Sequence, residues 1–79
     1  MDEIYREISR VLQDVLDVDD VVATPEMTAA DVEGWDSLSN IRIFLGLEKR
    51  MAVKFSAIEI GNFKNVGEIA EAIRRKRAA

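Results

Sequence analysis

Near the start of the chain, Ile4, Ile8, Val11, Leu12 and Val15 are separated by four, three, one and three residues, which is one apolar stripe of an amphipathic helix. That spacing commits the first segment to packing on other helices. Asp2 is its expected N-cap, Glu3 falls in the first turn, and the helix should stop near Asp17. A second helix is expected from Ser37 to about Met51, with Asp36 as N-cap. Ser56 and Glu59 stand in capping-box spacing and begin a short third helix, whose length Gly61 and Asn62 limit. Asn65 and Glu68 repeat the signal for a fourth, with Ile69 and Ile73 facing inward, joined by Val66 and by Ala70 or Ala72. The valine-rich pieces between helices are too short to pair as strands. The expected fold is all-α: a small four-helix bundle with one short third helix and a long loop between helices 1 and 2.

The 79 residues suit one domain, residues 1–79, and 48% hydrophobic with 33% charged content permits a modest core. There is no cysteine, so no disulfide staples a domain of this size and the packing must be efficient. The same absence fits a reducing compartment. No apolar run approaches the roughly 18 residues of a membrane span. The opening "MDEIYREI" is acidic and periodic, unlike a signal peptide, so a soluble cytoplasmic protein is expected. Net charge is −4, from 15 acidic and 11 basic residues, which argues against binding nucleic acid by backbone neutralisation. The basic run "RRKR", Arg74 to Arg77, complements the negative end of a terminal helix.

Between the first two helices, Val18 to Trp35 has no sustained period and holds the only proline, Pro25. It reads as a long ordered loop with Val21, Val22 and Met27 turned inward and Trp35 anchoring its end. Loops of this length inside small domains are often functional. "DVDD" at Asp17 to Asp20 fails as a calcium loop, since glycine would be needed near Val22 and glutamate near Thr28. No zinc spacing, phosphate loop or catalytic pair is present, and no metal site is expected.

Ser37 is the residue that needs explaining. A serine nucleophile needs a positioned base, and the chain has no histidine. Asp36 is too weak a base to activate an alcohol, so catalysis by this chain alone is not expected. Aspartate and serine at a helix start commonly do no more than satisfy backbone N–H groups. The helix that follows carries two apolar stripes. Ile43, Phe44, Leu47 and Met51 fall together, while Leu38, Ile41 and Leu45 lie roughly 140° away at about 100° per residue. One stripe suffices for packing, so the second either buries under the loop or faces a partner.

"GWDSLSNIRIFLGLEKRMAVKF" resembles the signature of the free-standing acyl carrier proteins, and "NVGEIAEAI" resembles that family's closing helix. The resemblance runs along nearly the whole chain. It implies that a phosphopantetheinyl transferase moves 4′-phosphopantetheine from coenzyme A onto Ser37, and that an acyl-loading ligase and acyl-transferring enzymes use the arm. Such a carrier needs no base and no cysteine, because the transferase brings one and the arm brings the thiol. The resemblance also implies that Asp36 helps hold the transferase's metal and that Leu38 supports the attachment turn. Ile41, Arg42, Leu45, Glu48 and Ile58 are the expected partner contacts of a monomer. Related carriers usually present an acidic helix after the serine. Here Glu48 stands alone against Arg42, Lys49 and Arg50, which points to a specialised lipid or polyketide-type pathway. Ile58, Ile60 and Phe63 flank the place where related carriers shelter a chain. A peptidyl or aminoacyl carrier, and an unmodified helical module docking through Leu38, Ile41 and Leu45, are the alternatives.

Overall fold

Four helices and one 3₁₀ turn make up the computed structural model, which describes residues 2–78. They are α1 (Asp2–Leu16), the turn (Ala29–Asp31), α2 (Ser37–Met51), α3 (Ala57–Asn62) and α4 (Val66–Ala78). No strand occurs among the described residues, and none of their helices is long and apolar enough to cross a membrane. Helix α1 packs on both α2 and α4. Its stripe is buried at Ile4, Ile8, Val11 and Leu12, with Val15 packed against the edge of the same core. The α2 stripe of Ile43, Phe44, Leu47 and Met51 meets it, and α4 adds Val66, Ile69, Ala70 and Ile73. Each large apolar side chain buried in this way contributes about 1.5–3 kcal/mol relative to exposure.

The helix starts follow the polar residues that precede them. Asp36 caps α2, and Ser56 and Glu59 form the reciprocal box that opens α3, at 3.1 and 2.9 Å. Asn65 accepts the Glu68 N–H at 2.9 Å at the start of α4. The Glu68 carboxylate departs from the expected box by accepting from the Lys64 N–H, one residue before the cap. Asp2 is the first helical residue of α1 instead of its cap, and its side chain lies outside the described residues.

Three anchors hold the long loop. The buried Ser9 hydroxyl donates to the Tyr5 carbonyl and accepts from the Ala23 N–H, both at 2.8 Å. Gln13 Nε2 donates to the Val21 carbonyl at 2.8 Å. At the other side the N–H groups of Val66 and Gly67 donate to Met27 and Pro25 carbonyls at 2.8 and 3.0 Å. The loop thus satisfies backbone donors that the start of α4 would otherwise leave unpaired. Position 67 must be glycine for this contact, since a Cβ there would meet the Pro25 oxygen at 2.9 Å.

Val21 and Met27 pack against the core as expected, but Val22 does not. It is exposed because Ala23, held by Ser9, takes the inward position beside it.

Candidate functional site

The start of α2 is built by a short series of polar contacts. The turn Ala29–Asp31 is closed by the Asp31 carboxylate, which accepts from the Thr28 N–H and hydroxyl at 3.0 and 3.1 Å. The chain then reverses through Gly34 at φ +90°, a conformation that an L side chain rarely adopts. Trp35 follows, half-buried against the core, and its Nε1–H donates to Asn40 Oδ1 at 2.9 Å. This bond spans the first turn of α2 and braces the residues between its ends.

Between those ends stand Asp36, Ser37 and Leu38. Asp36 has extended backbone, and its Oδ1 accepts from the N–H groups of Leu38 at 3.1 Å and Ser39 at 2.9 Å. The Ser39 N–H is the main cause holding this carboxyl below its ordinary range. Partial loss of water works the other way, and the Leu38 N–H adds a smaller lowering. Ser37 is the first residue of α2 and is exposed. It stands on a turn fixed on both sides, at the positive end of the helix dipole. A carboxylate engaged in capping gives the Ser37 hydroxyl no general base.

The second stripe of α2 remains uncovered. Leu38, Ile41 and Leu45 are 65%, 56% and 53% exposed, so the loop does not bury them. Arg42 lies exposed on the same helix. Two other expected partner contacts sit differently. Glu48 is half-buried, and its Oε2 accepts from the Phe55 N–H at 2.9 Å, which ties the end of α2 to the segment before α3. Ile58, 76% exposed, lines a groove between α3 and α4 with Phe63 and Ala72.

Behind the site, Phe44, Phe55 and Phe63 form an aromatic cluster with ring centroids 5.1–5.9 Å apart. Lys76 closes it from outside: Nζ lies 2.9 Å from Glu59 and 5.5 Å from the centre of the Phe55 ring. The space left between the loop, α2, α3 and α4 is a cavity of about 50 Å³, lined in part by Trp35, Asn40, Phe44, Ile60 and Phe63. That volume suits a water-sized group and not an extended chain. Asn40 and the Thr28–Asp31 pair escaped sequence reading. The threonine-to-aspartate spacing carried a capping signal, while nothing periodic marks Asn40.

An exposed serine at a capped helix start, on a four-helix bundle with a long first loop, defines a class of small helical-bundle domain. The comparisons agree with it along the full chain. A holo acyl carrier protein from Geobacter metallireducens, solved by solution NMR, superposes with a TM-score of 0.86 at 33% identity, covering 95% of this chain and 86% of that one. Acyl carrier proteins of Thermosynechococcus vestitus and Helicobacter pylori are 29% and 28% identical over 77 and 76 residues. These alignments cover 98% and 96% of this chain and 95% and 97% of the relatives. No family model matches. The chain belongs to the acyl carrier protein family.

Proposed function

We propose that the chain carries acyl intermediates as thioesters on a 4′-phosphopantetheine arm joined to Ser37. The observation that carries this reading is the exposed residue Ser37 at the first position of α2, on a turn held by the Asp36 cap and the Trp35–Asn40 bond. The residues fit such a group. A phosphodiester at the Ser37 oxygen would place its negative charge at the positive end of a 15-residue helix, where anions are favoured. The arm itself supplies a thiol, which this chain lacks. Asp36 keeps the first turn in place, and Leu38 presents an apolar contact one residue beyond the hydroxyl. A phosphopantetheinyl transferase would load the arm from coenzyme A. An acyl-loading ligase and acyl-transferring enzymes would then use it, with no chemistry performed by the carrier.

The pathway we propose is a specialised lipid or polyketide-type one. Two observations support it. Helix α2 offers partners cations where basic docking surfaces would seek carboxylates, and the aromatic cluster leaves little interior room for a long chain. Incubation with coenzyme A and a broad-specificity phosphopantetheinyl transferase tests the carrier reading. The wild-type chain should gain the mass of one arm, and Ser37→Ala none. Absence of the gain in the wild type, or its presence in Ser37→Ala, defeats the proposal. Identification of the thioester on protein from its native cell tests the pathway.

A further inference from the structure

The charge of this chain divides at Ser37. Between Arg10 and Arg42 there are eight carboxylates and no lysine or arginine, and all eight carboxylates are exposed. From Arg42 onward there are nine basic residues and four acidic ones. Those four are all engaged within the fold. Glu48 accepts from the Phe55 N–H, Glu59 from Ser56 and Lys76, Glu68 from the Lys64 N–H, and Glu71 pairs with Arg74. Arg50 is likewise occupied, 2.7 Å from Glu7. What α2 turns to solvent is therefore Leu38, Ile41 and Leu45 together with Arg42 and Lys49. At about 100° per residue these five positions fall within roughly 100° of one another. They form a single stripe with its apolar residues on one side, two cations along the other edge and no carboxylate.

We infer that this stripe docks on partner enzymes through an apolar recess rimmed by aspartate and glutamate. The identity of the partner rests on the carrier reading, because an enzyme acting at Ser37 meets the adjoining turns of α2. The chemistry of the recess does not rest on it. A rim of lysine and arginine would set like charges against Arg42 and Lys49, which costs affinity and slows encounter. The same rim would be drawn to the acidic loop before Ser37 and so be steered off the α2 stripe. A carboxylate rim satisfies the stripe and is repelled by the loop, which fixes one orientation. Charge patterning then selects both the partner and the way it sits.

The test uses the holo protein loaded with a short acyl group and two versions of one ketosynthase. One has a docking rim rich in lysine and arginine, and in the other those rim residues are glutamate. The wild-type carrier should transfer to the glutamate-rim enzyme with kcat/KM about tenfold higher or more, an advantage that shrinks with added salt. Arg42→Glu combined with Lys49→Glu should reverse the preference and gain activity with the basic-rim enzyme. Both residues are exposed, so the variant should keep wild-type helicity by circular dichroism. Equal or better transfer to the basic rim by the wild type, or a preference unmoved by the double substitution, overturns the inference. Binding titrations of the arm-free chain with each enzyme read the stripe independently. Perturbation of Leu38, Ile41 and Leu45 amides by the glutamate-rim enzyme alone would uphold it even if Ser37 accepts no arm. Perturbation by the basic-rim enzyme alone would count against it whatever Ser37 does.

Discussion

From Val18 to Asp36 the backbone makes one 3₁₀ turn and otherwise no regular element, whereas from Ser37 onward most residues lie in helices. The two regions are held by different forces. The helical part is fixed by apolar side chains buried at three- and four-residue spacing and by polar caps at each start. The loop is fixed by individual hydrogen bonds from other elements: Ser9 and Gln13 on α1, and the first N–H groups of α4. Removing one apolar contact from the first should weaken everything together. Removing one bond from the second should release a segment and leave the bundle standing.

The largest effect belongs to the helical side. Phe44 is 2% exposed and touches both other rings of the aromatic cluster. Phe44→Ala should cost about 3–5 kcal/mol through lost burial and the cavity left behind. Urea denaturation should show this as a lower midpoint with α1, α2 and α4 unfolding together. Loss of the loop alone, with the helices unaffected, would contradict the division drawn above.

Next comes the latch between loop and α4. Gly67→Ala places a Cβ against the Pro25 carbonyl oxygen, a backbone atom that cannot swing aside. The cost should be about 2–3 kcal/mol, near the top of the range for overpacking. Amide exchange at Val66 and Gly67 should accelerate more than exchange at Ile43 or Leu47. Uniform acceleration would mean that loop and bundle form one cooperative unit.

Ser9→Ala tests the opposite end of the same loop. The Ala23 N–H would lose its acceptor in a buried position, at a cost of about 1–2 kcal/mol. Thermal melting should register the loss, and Ser9→Thr should recover part of it if its hydroxyl reaches both partners.

The same contrast explains what was legible in the sequence. All four helices and the caps Asp36, Ser56 and Asn65 were readable, because periodic burial and capping depend on residues close together in the chain. Asp36 and Ser37 were readable for that reason, and the second α2 stripe was readable as a surplus of apolar residues. The loop was not. Ser9 sits in a helix and serves a residue 14 positions away, and Gly67 is needed only because Pro25 passes beside it. Val22 was misplaced because valine resembles core, and no local signal said that Ala23 would be the residue held inward. Glu48 has a bond that no local signal marked either. On a helical wheel it borders the partner face, while its carboxylate reaches seven residues ahead to Phe55.

The smallest expected effect lies where the two regions join. Asp36 has its carboxyl lowered mainly by the Ser39 N–H. A carboxyl lowered in the folded state adds stability that is present above its unfolded value, about 3.9, and disappears as pH falls through the folded one. The first turn of α2 should therefore loosen in acid below the ordinary aspartate range while Ile43 and Leu47 stay protected. Leu38 and Ser39 amide shifts followed by NMR from neutral pH downward should titrate together with a midpoint below that of an unfolded aspartate. Asp36→Asn keeps an oxygen acceptor without the charge, so it should retain the turn and lose that titration. A midpoint at or above the unfolded value would mean that the cap does not favour the charged form. The rigidity of the turn beneath Ser37 would then have to come from the Trp35–Asn40 bond, and Asn40→Ala should loosen it at every pH.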